Sequence, residues 1–342
     1  MNLYIFPEAI SKVDGYGIAV NYAYERLQPQ EDDIIVWYTK QQIVPHVKSN
    51  DIVIDKSKIS VFKRIGNVIR CNPSTQLNSN DLKFLKKYDF EHIHCDEILF
   101  FKALRELFPD KHITVRLHNN FARIYTRYTM LRNVKIDWKF KLILHLCKHS
   151  EKYIMNDRNS YKIFLTDEDR DYYTQVFGIQ SDSEVWAFKP DELKMTERRR
   201  KLSLSKRLIW FGGLDAHKTS SVIWFVNEVF LPLREDISDL EFHLWGRGTQ
   251  KLNDPVNGIY GHGFFEGENF PDYESLYINP DLLGGGIKLK LLTYLNEGIP
   301  FISTQYGFEG YSEKLIDEEF CIVKAAPEWK MSIYNILKKH EN

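Results

Sequence analysis

Short apolar runs alternate along this chain with longer stretches of helical periodicity, the pattern of βα units feeding a parallel sheet. In the first half the predicted strands are Leu3–Phe6, Ile34–Trp37, His92–His94, His112–Leu117 and Tyr153–Met155. Ile163–Leu165 follows as a short strand or helix lead-in. Predicted helices lie between them over Ile18–Arg26, Ser79–Lys87 and Ile98–Leu107. The segment from Lys189 to Ser205 breaks this rhythm. It contains Pro190 and a charge run from Glu197 to Lys201 and has almost no apolar periodicity, so 191–205 reads as a linker. A second βα series then opens with the strand Arg207–Phe211 and the tight turn Gly212-Gly213. It continues with the helix Ser220–Phe230 (ended by Pro232) and the strands Glu241–Trp245 and Ser275–Ile278. The helix Lys288–Asn296 and the strands Pro300–Ser303 and Phe320–Val323 complete it. The expectation is an α/β protein with domains over 1–190 and 206–328, followed by a C-terminal helix over 329–342.

Length agrees with that division, since 342 residues exceed one ordinary core and fit two domains of roughly 150 residues. The formal net charge of −1 supplies no overall field for nucleic acid, so no nucleic-acid partner is expected. Cys71, Cys95, Cys147 and Cys321 are scattered without metal or disulfide spacing, which fits a reducing compartment. The apolar run at Leu3–Phe6 has no basic residue before it and is too short for a secretory leader. No stretch approaches the ~18 apolar residues of a spanning helix. The expected location is cytoplasmic, with the inner face of the cell membrane left open as a place of work.

One glycine run changes this picture most. Asn279-Pro280-Asp281-Leu282-Leu283 leads into Gly284-Gly285-Gly286-Ile287-Lys288-Leu289-Lys290, then an apolar helix and Gly298-Ile299-Pro300. Three glycines remove every Cβ where a backbone must approach a ligand, and the helix that follows aims N–H groups and a positive dipole end at one point. Lysines in a first helical turn oppose the macrodipole, so Lys288 and Lys290 make sense with an anion between them. Gly212-Gly213, followed by Lys218, and Gly246-Arg247-Gly248 each come after a predicted strand. In an open parallel sheet such loops meet over one pocket beyond the carboxyl ends of the strands.

The first half offers Asp14-Gly15-Tyr16-Gly17, a glycine turn between a strand and a helix that suits a phosphate or a sugar hydroxyl. His94 and His118 end predicted strands, and His118 is expected to face a substrate cleft. Thr166 with Asp169 reads as a capping box rather than an Asp-x-Asp metal motif, so no metal is expected. Between Arg123 and Lys152 eight basic residues interleave with Trp138, Phe140, Leu142 and Leu144. That composition suits either an anionic membrane surface or a solvated helix face.

From about Arg207 to Tyr311 the chain resembles GT-B-fold glycosyltransferases of the retaining family 4 type. The resemblance is carried by Phe211-Gly212-Gly213, His243 to Gly248, Gly261-His262-Gly263-Phe264, the Gly284–Lys290 run, and Gly298 to Thr304 with Gly307-Phe308-Glu309-Gly310. The first half is similar more loosely, through Gly15-Tyr16-Gly17, Arg116 to Asn119 and Ile163 to Thr166. The resemblance implies two Rossmann-like domains facing a central cleft, the acceptor on the first and the nucleotide sugar on the second. It implies sugar transfer to a surface polysaccharide or lipid-linked glycan, with retention, and with no cofactor beyond the nucleotide-sugar co-substrate. Lys218, Lys290, His118 and Asp14 are then the candidate catalytic residues. Gly15, Gly17, Gly212, Gly213, Arg247, Phe264, Gly284, Gly285, Gly286, Ile287, Lys288 and Glu309 are the candidate donor contacts.

The chain also departs from the family. Gly285 and Thr293 stand where a pair of glutamates often grips the sugar and the ribose, and Gly213 replaces a frequent arginine. Those contacts must come from elsewhere, with Glu309 or Glu266 as candidates. Two rival readings stay open: inverting transfer with Asp14 as general base, and a non-catalytic partner subunit of a glycosyltransferase complex.

Overall fold

The computed structural model describes residues 1–8, 10, 15–39, 50–55, 60–69, 77–129, 136–190, 204–214, 216–264, 274–283 and 286–339. Asp14, Glu266, Gly284, Gly285 and residues 191–203 of the predicted linker lie outside them. The chain divides into two compact units, Met1–Ala187 and Phe188–Asn342.

In the first unit, β1 (Leu3–Phe6), β2 (Ile34–Thr39), β3 (Ile52–Asp55), β4 (Ile93–Asp96), β5 (Ile113–Leu117), β6 (Ser160–Phe164) and β7 (Ser183–Val185) form a sheet in the order β3-β2-β1-β4-β5-β6-β7. Every pairing is parallel. The central strands β1 and β2 are buried along their whole length, as expected of strands covered on both faces. Leu3, Ile5, Ile93, Cys95, Ile113 and Val115 point to one face and pack with α3 (Ile98–Leu107) and the end of α5 (Trp138–Asn156). Tyr4, Phe6, Ile35 and Trp37 point to the other, where Val20 and Ala23 of α1 (Gly15–Leu27) cover them. The remaining helices are α2 (Val61–Ile69), α4 (Phe121–Tyr128) and α6 (Asp167–Phe177).

In the second unit, β8 (Arg207–Phe211), β9 (Glu241–Trp245), β10 (Ile259–Gly263), β11 (Leu276–Asn279), β12 (Phe301–Ser303) and β13 (Cys321–Val323) pair in parallel in the order β10-β9-β8-β11-β12-β13. The helices are α7 (Ala216–Phe225), α8 (Leu231–Asp236), α9 (Leu289–Glu297) and α10 (Trp329–Lys339). Trp329, Ile333 and Leu337 of α10 are buried in this unit's core with Leu208, Trp210 and Phe242.

Four expectations need correction. Tyr153–Met155 is the last part of α5, not a strand. The helix is opened by the Asp137 carboxylate, which accepts the Phe140 N–H at 2.9 Å, and an apolar triplet alone does not distinguish a strand from a buried helix turn. Gly15 and Gly17 belong to the first turn of α1 rather than to a loop before it. Of the helix expected over Ser79–Lys87, only Lys83–Lys87 is helical, as one 3-10 segment. Pro232 does not end the helix before it. A π-turn over Val226–Phe230 widens the backbone there, so the proline ring is accommodated and the helix continues to Asp236.

Candidate functional site

Both sheets have a topological switch point, between β1 and β4 in the first unit and between β8 and β11 in the second. Loops that leave adjacent strands in opposite directions open a crevice at such points. In the second unit that crevice is flanked by the turn after β8 and the segment Asn279–Lys288 after β11. Each leads into a helix N-terminus, that of α7 or α9.

The glycines around this crevice are fixed by contact as well as by conformation. A Cβ on Gly246, whose φ is +129°, would stand 2.1 Å from the Gly212 carbonyl oxygen. Gly246 N–H donates to the Gly263 carbonyl at 2.6 Å, Gly212 N–H to Trp245 O at 2.9 Å, and Leu214 N–H to Arg247 O at 2.9 Å. The loops after β8, β9 and β10 are thereby tied side by side, which brings Gly212, Gly213 and Arg247 together. Phe264 follows directly and is 71% exposed.

On the other side of the switch point, Gly286 is buried with φ +70° and Ile287 packs on the apolar cluster beneath α9. Lys288 is the N-cap residue; its Nζ donates to Gly286 O at 3.1 Å and its carbonyl accepts the Tyr311 hydroxyl at 3.0 Å. Lys290, in the first turn, carries its Nζ 5.5 Å from the centre of the Trp210 ring, so α9 and β8 present cationic and aromatic groups together. No acidic residue occupies that first turn. Gly298, at φ +64°, ends the helix in the left-handed conformation a glycine adopts without strain. Lys218 is in the first turn of α7, half-buried, and Glu309 is half-buried in the turns after β12. Among the described residues no three or more His, Cys, Asp or Glu side chains are grouped to hold a metal ion.

Sequence reasoning passed over one residue here. Asp281 is 1% exposed, and among the described residues neither of its carboxylate oxygens has a hydrogen-bond partner. Its backbone is held by Thr304, whose hydroxyl donates to the Asp281 carbonyl and accepts the Gly307 N–H at 3.0 Å. The signal was present in Asn279-Pro280-Asp281, because proline and the strand end fix that residue at the mouth of the loop.

In the first unit His118 does not stand open, as expected, but is 5% exposed. His118 Nε2 lies 2.8 Å from Asp96 Oδ2 and 3.1 Å from Arg116 Nη1. Arg116 Nη1 also donates to Asp96 Oδ1 and to the Ala19 carbonyl, both at 3.0 Å, tying β5 to the second turn of α1, one turn beyond Gly15 and Gly17. The Asp96 carboxylate at 2.8 Å accepts the hydrogen bond from Nε2–H and so fixes the orientation of the ring. Burial acts to raise the Asp96 carboxyl, but the charges of His118 and Arg116 outweigh it and hold the group well below the usual carboxylate range. His94, by contrast, is held below the ordinary histidine value, first by burial and against the pull of Asp96.

Thr166 caps α6 by accepting the Asp169 N–H at 3.1 Å, and Asp169 pairs with Arg123 Nη1 at 3.0 Å. One base of the Arg123–Lys152 segment is therefore used inside the unit. Further along it, Trp138 is 69% exposed, Ile136 and Ile143 are each 40% exposed, and Lys139 and Lys141 are exposed beside them. Residues 130–135 lie outside the described residues. No helix among the described residues is long and apolar enough to cross a membrane.

No protein-family model matches the sequence, and comparison with curated proteins finds no match. Solved structures do match. WaaG, a glycosyltransferase involved in lipopolysaccharide biosynthesis, superposes with a TM-score of 0.61 at 10% identity, over 99% of this chain and 90% of its own. The α,α-trehalose 6-phosphate synthase of Burkholderia multivorans gives 0.60 at 10% identity, over 100% and 88%. Anabaena HepE, in complex with UDP and glucose, gives 0.56 at 11% identity, over 99% and 89%. At these identities the likeness establishes the fold: two α/β units of the GT-B type.

Proposed function

We propose that this chain is a glycosyltransferase that moves a sugar from a nucleotide-sugar donor to a growing surface polysaccharide or lipid-linked glycan. The observation that carries the proposal is the crevice of the second unit. There two helix N-termini and the tied glycine turns lie at the switch point of a sheet whose fold is shared with HepE, which was solved in complex with UDP and glucose. In this reading the donor diphosphate lies against the N-terminus of α9, where backbone N–H groups with Lys290 and Lys218 offset the charge that develops as the leaving group departs. The bond between the anomeric carbon and the phosphate oxygen breaks, and a bond to the acceptor oxygen forms on the same face. The acceptor proton passes to the released phosphate. No metal or protein nucleophile is needed for that sequence. Asp281 then supplies a carboxylate where the family's usual glutamates are replaced by Gly285 and Thr293.

The experiment is a thermal-shift titration with nucleoside diphosphates and nucleotide sugars, without added metal. A ligand held only by the folded state raises the melting temperature, and Lys290→Ala should abolish that rise and lower turnover by more than about tenfold, a modest part of the loss typical of a removed stabilising donor. Absence of a shift with every nucleotide would sink the donor-site assignment and favour the non-catalytic subunit.

We further propose that the exposed basic and aromatic start of α5 brings the enzyme to anionic lipid at the inner face of the membrane. The exposure of Trp138, Ile143, Lys139 and Lys141 supports this placement.

A further inference from the structure

The first unit contains a cavity of about 300 Å³ that the proposed reaction does not use. It opens on the face of the sheet that carries Tyr4 and His94, with walls that include Tyr4, His94, Thr114, Tyr161, Glu184 and Trp186. The strand residues in its walls sit toward the amino ends of β1 and β4, whereas the β1/β4 switch crevice lies beyond their carboxyl ends. It is therefore a separate feature of the unit.

Its chemistry narrows the ligand. Among the described residues neither ring nitrogen of His94, both buried, has a hydrogen-bond partner, and Nε2 stops 3.9 Å from Asp96 Oδ1, beyond bonding range. Asn2 Oδ1, also at the cavity, is likewise buried without a partner. Burial keeps the imidazole neutral, so it carries one donor and one acceptor. A hydroxylated ligand would supply the partners that such groups lack. The Glu184 carboxylate accepts the Trp186 Nε1–H at 2.6 Å and has a second oxygen to offer.

Charge excludes two other classes of ligand. Among the described residues no lysine or arginine lines the cavity and Glu184 does, so an anion is unfavourable. The Arg26 guanidinium already lies 4.4 Å from the Trp186 ring centre, so a second cation at that ring would meet its charge. What remains is a neutral molecule with one apolar face for the aromatic rings and hydroxyls for the polar atoms. We propose that this cavity binds a single neutral sugar ring, as a non-catalytic glycan site of the first unit.

The test is saturation-transfer NMR of the whole chain with a panel of methyl glycosides of glucose, galactose, mannose and N-acetylglucosamine, with uridine and adenosine as planar controls. At least one glycoside should bind with Kd on the order of 1 mM. Thr114→Phe, which fills the cavity, should abolish the signal with the circular dichroism unchanged. Should that variant fail to fold, Glu184→Gln serves in its place and should weaken binding at least fivefold. Binding to none of the glycosides, binding that survives both substitutions, or binding of the nucleosides in place of the sugars overturns the proposal. Nucleotide binding in the second unit reads separately, so failure here leaves the transferase reading standing.

Discussion

Replacing Asp96 by asparagine keeps the size of the side chain and removes its charge from a site with no access to water. Asp96 and Arg116 are both 0% exposed. Three contacts lose their anionic acceptor: Arg116 Nη1 to Oδ1 at 3.0 Å and to Oδ2 at 3.3 Å, and His118 Nε2 at 2.8 Å. The guanidinium cannot shed its proton to adapt. Removing one partner of a buried pair costs about 3–5 kcal/mol, because the other charge stays buried. For a unit of this size each kcal/mol moves the transition by about 2–4 °C, so the first unit should melt lower by about 6–20 °C. Calorimetry of wild type and variant at pH 7 reads this directly. The double variant Asp96→Leu, Arg116→Met should recover most of the loss, since a well-packed apolar pair replaces the ions. A loss below about 1 kcal/mol, or a double variant no better than the single one, would refute the account. The pH dependence carries a sign as well. A carboxyl held below its unfolded value of about 3.9 stabilises the fold above that pH and loses this contribution as pH falls, so the gap between wild type and variant should close on acidification below about pH 4.

Glu151 behaves in the opposite way. It is buried at the start of α4, accepting the Ala122 N–H at 3.0 Å, and burial raises its carboxyl well above the ordinary range. Folding then favours the protonated form, so wild-type stability falls as pH rises above about 4.3. Glu151→Gln should melt higher than wild type at pH 8 and equally at pH 4, and a lower melting point at pH 8 contradicts this. Gly246→Ala places a methyl 2.1 Å from the Gly212 oxygen at a φ of +129°, and should cost about 2–5 kcal/mol in urea unfolding. A change under about 0.5 kcal/mol would mean the loops are not locked together. For α5, sedimentation with anionic vesicles should show binding that weakens with salt and falls in Trp138→Ser; salt-independent binding would remove the membrane proposal.

The alternation of apolar runs and helical periods made the layered α/β class legible, and strands such as β1 and β5 were placed within a residue or so because both faces are buried. The edge strands β3 and β7 were not legible: they are half-buried along most of their length, β3 offers only the triplet Ile52-Val53-Ile54, and β7 has no apolar run at all. In the second unit, the described glycines and lysines singled out in the sequence flank the switch-point crevice. Two things stayed hidden. The burial of His118 depends on Asp96 and Arg116, whose pairing exists only once β4 and β5 are side by side. The π-turn that lets Pro232 sit inside a helix leaves no mark in local sequence, where proline ordinarily signals an end.

Glu97 directly follows β4 with φ +125° and ψ +151°, a region of backbone space that is almost the preserve of glycine. Its side chain is fully buried, accepts the Ile98 N–H at 2.9 Å and raises the carboxyl of Glu151 through their mutual repulsion. A mutation to glycine would relax about 1–3 kcal/mol of strain. A glutamate at such a position places a buried carboxyl against the Ile98 N–H at the expense of backbone strain. Among diverged relatives this site should therefore be occupied by an acid or by glycine, with few intermediates.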